Sequence, residues 1–118
     1  MSFEESLRRI TNNIEDSLGV AMVGMDGMVV EEHKKDPLLD LQSLGAEYCA
    51  VIKDIERVSS SLGLGSGREI SVITDKAIVI LKKINEEYFL LLALGSEGNF
   101  GKGRFLLKRE IAFLEKEL

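Results

Sequence analysis

The spacing of apolar side chains predicts three helices. From Ser2 to Asp16, apolar residues recur at three- and four-residue steps, and Ser2 and Glu5 have the spacing of a capping box. A longer second helix is predicted from its N-cap, Asp40, to Leu62, where a run of glycines follows. A third helix is predicted to close the chain, because apolar and charged residues interleave after residue 103.

Five apolar runs between these helices predict strands. They cover residues 20–25, 28–33, 68–74, 77–84 and 88–94. Gly19 is predicted to end the first helix, and Asp26-Gly27 predicts a type I′ hairpin turn with positive φ at both residues. The last three strands form a meander because their connections are too short for a crossover. The run 88–94 is apolar throughout, which indicates a central strand.

The second predicted helix has two unlike faces. Its large apolar residues are assigned to a core face, namely Leu41, Leu44, Tyr48, Val51, Ile52, Ile55, Val58 and Leu62. Nearly opposite lie Ala46, Cys49 and Ala50, where a solvated face would carry Lys and Glu. Small side chains let another backbone approach closely, so this patch predicts a contact with a partner or with another helix of the same chain.

Composition narrows the classes of protein to which the chain can belong. Its 118 residues fit one domain, 1–118, and the single Cys49 cannot form an intramolecular disulfide. Fifteen basic and twenty acidic side chains give a net charge of −5, which repels phosphate and argues against a nucleic-acid partner. No signal-like segment begins the sequence, and no apolar run reaches the ~20 residues of a membrane span. We therefore expect a cytoplasmic protein without membrane insertion.

Candidate catalytic chemistry is sparse. His33 is the single histidine, so no histidine-based metal site or catalytic triad can be assembled. The glycine-rich stretch Gly95–Gly103 lies where a phosphate loop would lie, yet Gly103 occupies the place of the required Ser or Thr. No pair of carboxylates has an evident acid–base arrangement. We expect no catalytic residue, no metal and no cofactor, and hence no enzyme.

Several short motifs together resemble one family. They are Gly19-Val20-Ala21, Asp26-Gly27 with Val29-Val30, and Asn99-x-Gly101-x-x-Arg104-x-x-Leu107. With the order αββαβββα, the chain resembles the Roadblock family of dynein light chains and bacterial MglB-like proteins. The resemblance implies a profilin-like α/β (α+β) fold with a five-stranded antiparallel sheet in the order 2-1-5-4-3. The second helix would cover one face of the sheet, and the terminal helices the other.

The resemblance also implies a homodimer built on the third strands and second helices. Those elements map the interface to Ala46, Cys49, Ala50, Glu69, Ser71 and Ile73. Family members often hold or regulate small Ras-like GTPases, and MglB-like members act as GTPase-activating partners. A docking face for such a GTPase is expected at Gln42, Lys53, Asp54 and Arg57.

Two other functions fit the same sequence. A PAS- or profilin-like sensor would use the sheet to enclose a small ligand, and a roomy pocket beneath the second helix would favour it. A structural adaptor subunit of a motor-like complex would form the dimer without a nucleotide-dependent partner. The sequence also leaves open whether the second subunit is another copy of this chain or a relative.

Overall fold

The computed structural model describes residues 3–118 of the chain. These residues contain three α-helices and five strands. Their bounds are α1 Phe3–Thr11, β1 Ser17–Gly24, β2 Val29–Lys34, α2 Leu41–Ser61, β3 Glu69–Ile73, β4 Ala77–Lys83, β5 Tyr88–Gly95 and α3 Phe100–Leu114. A short 3-10 helix, Glu115–Glu117, follows α3. The predicted element order is confirmed. The capping box proposed at Ser2 lies outside the described residues.

The five strands form one antiparallel sheet in the order β2-β1-β5-β4-β3, as the sequence predicted. Strand β5 is central because its residues are apolar on both faces and can be covered from both sides. Leu90 pairs with Met22 of β1 on one side and with Lys82 of β4 on the other. Strands β2 and β3 are the two edges.

Two apolar layers lie on opposite faces of the sheet. Alternate residues of β1 divide between them: Met22 packs with α1 and α3, whereas Val23 packs with α2. The first layer contains Leu7 of α1 and Leu107 of α3, both fully buried. The predicted arrangement, with α2 on one face and the terminal helices on the other, is confirmed. No helix within residues 3–118 combines the length and apolarity required to cross a bilayer.

Two local predictions about turns were wrong. Helix α1 ends at Thr11, and Asp16 rather than Gly19 adopts the left-handed conformation, with φ of 59°. Asp16 is fixed there because its carbonyl oxygen accepts a hydrogen bond from Gly95 N at 2.7 Å, and its side chain accepts one from Glu97 N at 3.1 Å. Gly19 instead lies within β1.

The hairpin between β1 and β2 is not a type I′ turn. Gly27 has φ of 88°, whereas Asp26 does not have positive φ. Gly27 N donates to Gly24 O at 2.9 Å, and Gly24 N donates to Met28 O at the same distance. This is a three-residue loop with a left-handed glycine, the next most common hairpin class. The carboxylate of Asp26 completes it by accepting a bond from Met28 N at 3.0 Å.

Candidate interaction surface on helix α2 and strand β3

Helix α2 packs closely on the sheet because glycine faces it. A methyl group at Gly45 would lie 3.3 Å from the side chains of Val23 and Val29, so this position leaves little room. The helix begins where predicted, since the Asp40 carboxylate accepts a bond from Ser43 N at 3.0 Å. The residues that face the sheet most fully are Leu41, Gly45, Cys49 and Ile52.

Cys49 lies beneath α2 and not on its outer face, so its assignment to the dimer interface was wrong. Its side chain is buried, and Sγ approaches Met25 O at 3.4 Å. The error arose because we grouped Cys49 with Ala46 and Ala50 by size. In the structure the small Cys49 side chain allows close helix–sheet packing, in the same way as Gly45.

The apolar residues assigned to the core face of α2 do not all reach the core. Val51, Val58 and Leu62 are 38%, 44% and 67% exposed. With the partly buried Leu44, Tyr48 and Ile55 they form a stripe, here called the apolar flank: Leu44, Tyr48, Val51, Ile55, Val58 and Leu62. The steps between its members are alternately four and three residues, the spacing of a helix–helix seam. This regular spacing was the signal that could have separated the flank from the core face.

Strand β3 lies at the free edge of the sheet. It bonds to β4 on one side, and its other side has no strand partner within residues 3–118. Ser71 is exposed, and Ile73 is 69% exposed. Such an edge offers unpaired backbone groups to another strand.

Glu69 differs from the other predicted residues of the β3 edge because it is held inside the chain. Its carboxylate pairs with Lys82 at 3.3 Å and Arg104 at 2.7 Å. Burial acts to raise the pKa of Glu69, but the hydrogen bond from Arg104 and the charge of Lys82 lower that pKa overall. Glu69 therefore stabilises the junction of β3 with α3.

The residues expected to bind a partner are solvent-exposed on α2. Gln42, Lys53, Asp54 and Arg57 are all exposed, as are Ala46 and Ala50. None of the charged members, Lys53, Asp54 and Arg57, forms an ion pair within residues 3–118. At 100° per residue, Gln42, Ala46, Ala50, Lys53 and Arg57 share one side of the helix, here called the polar flank.

The two flanks of α2 face different edges of the sheet. Ala46 lies over the β1–β2 hairpin, with its Cα 3.7 Å from where a methyl group on Gly27 would be. Ile55, on the apolar flank, lies 3.6 Å from the equivalent point on Gly67, just before β3. The family resemblance grouped Ala46 and Ala50 with β3 in one surface, whereas in this structure the apolar flank is the part of α2 nearest that strand.

A solved relative shares this fold along its whole length. The crystal structure of MglC from Myxococcus xanthus is 33% identical in sequence over 100% of both chains, with a TM-score of 0.72. The chain belongs to the Roadblock-type, MglB-like family. No protein-family model and no curated protein matches it.

More distant structures show the same Roadblock fold. A Roadblock/LC7 domain from Streptomyces avermitilis is 13% identical over 99% of this chain and 98% of its own, with a TM-score of 0.88. Myxococcus xanthus MglB is 14% identical over 96% and 91%, with a TM-score of 0.86. These two structures show the fold alone, and it is the 33% identical MglC that supports a Roadblock-type regulatory or scaffold domain.

The Roadblock-type chain encloses little space beneath α2. The cavity bounded by Ile52, Ile55, Ile70 and Leu81 has a volume of about 10 Å³, which is room for a single water at most. Residues 3–118 also contain no group of three His, Cys, Asp or Glu side chains close enough to hold a metal ion. The prominent features of this region are therefore its two exposed flanks and the β3 edge.

Proposed function

We propose that the chain is a dimeric scaffold and regulator that binds a small Ras-like GTPase. The observation that carries this proposal is the apolar flank of α2 beside the unpaired edge of β3. Together they provide a strand edge and a hydrophobic seam on the same side of the molecule. A second Roadblock-type subunit, and in the simplest case a second copy of this chain, would satisfy both.

In the proposed dimer, two β3 strands pair across a two-fold axis and the apolar flanks meet above them. Full burial of a Val or Leu side chain contributes about 1.5–3 kcal/mol. Val51, Val58 and Leu62 are already partly buried, so covering their exposed parts would supply about 2–4 kcal/mol per subunit. Ile73 and Ser71 would lie at the strand junction. Glu69 would support the junction from within its own subunit through Arg104 and Lys82.

The polar flank then remains free for a second kind of partner. Gln42, Lys53 and Arg57, with Asp54 at the border of the flank, offer both charge signs and hydrogen-bond donors, and the charged members form no ion pair with the rest of residues 3–118. Regulation of a GTPase through this surface requires tighter binding to one nucleotide state, since equal affinity shifts no equilibrium. Any change in the rate of GTP hydrolysis would then come from a change in the conformation of the GTPase's own switch loops.

Titration calorimetry with Ras-like GTPases of the same genome tests this function. Each GTPase is loaded with GDP or a GTP analogue, and we expect at least tenfold tighter binding of the GTP form. Faster GTP hydrolysis in single-turnover assays would identify a GTPase-activating role. Binding without acceleration would identify a scaffold.

A structural adaptor is the second candidate, because its dimer would use the same flank and strand edge. Equal affinity of a GTPase for this chain in both nucleotide states, or no binding by any of them, rejects regulation and favours the adaptor. The sensor interpretation is disfavoured by the 10 Å³ cavity beneath α2, which is too small for a metabolite.

A further inference from the structure

Two rows of side chains border the apolar flank of α2. Because the members of the flank alternate steps of four and three residues, they occupy the two apolar positions of a heptad repeat. The row on the sheet side contains Gly45 and Ile52, which are buried. The row on the solvent side is here called the outer row: Asp40, Glu47, Asp54 and Ser61. Of the two rows, only the outer row presents charged side chains beside the flank.

The outer row is acidic and contains no cation. Glu47 and Asp54 are both exposed, and they share one border of the flank because they are seven residues apart. Neither forms an ion pair within residues 3–118. Lys53 and Arg57 belong to the polar flank, which lies on the far side of the helix from the apolar flank. The negative charge of this border is thus not compensated by an ion pair in the described chain.

A two-fold axis would bring the outer row of one subunit beside the same row of the other. In the dimer under Proposed function, on which this inference rests, two β3 strands pair within one sheet, so the axis is perpendicular to that sheet. In every register of the two helices, an outer row then meets only acids or serine. Packed helices are about 8–10 Å apart, which is comparable to the ~8 Å screening length at physiological ionic strength. The acids of two copies would therefore repel each other.

We propose that Glu47 and Asp54 select a second subunit of opposite charge: a Roadblock-type chain with Lys or Arg at the matching positions of its second helix. Charges that border a heptad seam set the choice of partner in coiled coils. Here they repel a second copy and attract the matched relative, and paired helices achieve specificity by this combination. The apolar flank and the β3 edge serve both dimers, so a second copy still pairs, but more weakly.

A basic variant of the chain itself provides the matched subunit. Glu47→Lys with Asp54→Lys retains the apolar flank and the β3 edge and reverses the charge of the outer row. Resonance energy transfer between amino-terminal donor and acceptor fluorophores gives the Kd of each combination. We expect wild type to bind the basic variant about tenfold more tightly than either protein binds itself. This difference should largely disappear in about 1 M NaCl, where the screening length falls to about 3 Å.

Neutral side chains separate the effect of charge from that of packing. Glu47→Gln with Asp54→Gln should strengthen self-association about threefold, because the repulsion is removed. The same variant should bind the basic variant about threefold more weakly than wild type does, because the attraction is removed. A change in packing at the seam would move both Kd values in the same direction.

A matched control tests whether net charge alone explains the gain. Glu15→Lys with Glu117→Lys makes the same change in net charge as the basic variant, at exposed residues outside α2 and β3. Wild type should bind this control no more tightly than it binds itself. An equal gain with the control overturns selection by the outer row. Thermal melting monitored by circular dichroism establishes that each variant is folded.

Val51→Arg distinguishes failure of this selection from failure of the dimer. Placed in both chains, it should abolish every combination that uses the apolar flank. Self-association that Val51→Arg abolishes, without tighter binding of the basic variant by wild type, overturns the selection and leaves the dimer standing. Absence of pairing in every combination, or pairing that survives Val51→Arg, overturns the α2–β3 dimer and the selection with it.

Discussion

The buried carboxylate of Glu110 on α3 accepts a hydrogen bond from Arg9 Nη2 on α1 at 2.7 Å. Arg109 also pairs with this carboxylate, at 3.0 Å, and the Glu110 side chain is only 1% exposed. Burial acts to raise the pKa of Glu110, but the hydrogen bonds from Arg9 and Arg109 lower that pKa overall. The contact fastens the two helices that cover one face of the sheet.

Replacing Glu110 with Gln should reduce the free energy of unfolding by about 1–3 kcal/mol. The amide keeps the size of the side chain but removes the charge that satisfies two guanidinium groups. Urea denaturation at neutral pH measures the loss. Glu4→Gln is the control, because the Glu4–Arg8 pair is exposed and such pairs contribute less than about 1 kcal/mol.

The stability difference between wild type and Glu110→Gln should depend on pH. A carboxyl whose pKa is lowered on folding stabilises the native state above its ordinary value of 4.5, and this contribution is lost as pH falls through the folded pKa. The difference should therefore be largest near pH 7 and shrink in acid. An unchanged difference at pH 3 would contradict the ionised pair.

Adjacent substitutions on α2 should have opposite effects on dimerisation. Val51→Arg places a charge in the apolar flank, and we expect it to abolish the proposed α2–β3 dimer. Ala50→Arg, on the polar flank, should leave that dimer intact. Light scattering over a concentration series checks both variants. Loss of the dimer in Ala50→Arg alone would return the interface to the small-residue patch that the sequence favoured.

Reversing two charges on the polar flank should weaken the proposed GTPase complex. We expect Lys53→Glu with Arg57→Glu to raise the Kd for the GTP-bound form by at least tenfold. Stability should change by less than about 0.5 kcal/mol per site, since both residues are exposed. Lys35→Glu with Lys76→Glu makes the same change in net charge elsewhere on the surface. An equal effect of this control pair would show general electrostatics instead of a docking site.

The sequence predicted the elements well because their signals are local. The apolar run at 88–94 required a strand covered on both faces, and β5 is central in the sheet. Asp40 predicted the start of α2 because a cap requires only its own side chain and the next turn. Strand order came from the family resemblance, since short connections establish antiparallel neighbours but do not order the sheet.

The burial of individual α2 residues could not be predicted in the same way, because it depends on how the helix is seated on the sheet. The stripe that includes Gly45 and Cys49 faces the sheet, so Val51 and Val58 lie on the flank and not in the expected core. A helical period locates a face, but it does not tell which of two neighbouring stripes lies nearer the sheet. The exposed position of Phe105 and Phe113 likewise became evident only when Leu107 and Ile111 were seen to fill the inner face of α3.

The left-handed turn at Asp16 provides a test of the connection between α1 and β1. We expect Asp16→Ala to lower the free energy of unfolding by about 2–3 kcal/mol. Alanine at φ of 59° costs about 1–2 kcal/mol, and the side-chain hydrogen bond to Glu97 N, worth about 1 kcal/mol, is lost. Asp16→Asn should stay within about 0.5 kcal/mol of wild type, because Asn tolerates this conformation and its amide oxygen can accept the same bond. Urea denaturation compares the three proteins, and equal stability of the Ala and Asn variants would contradict the strained turn.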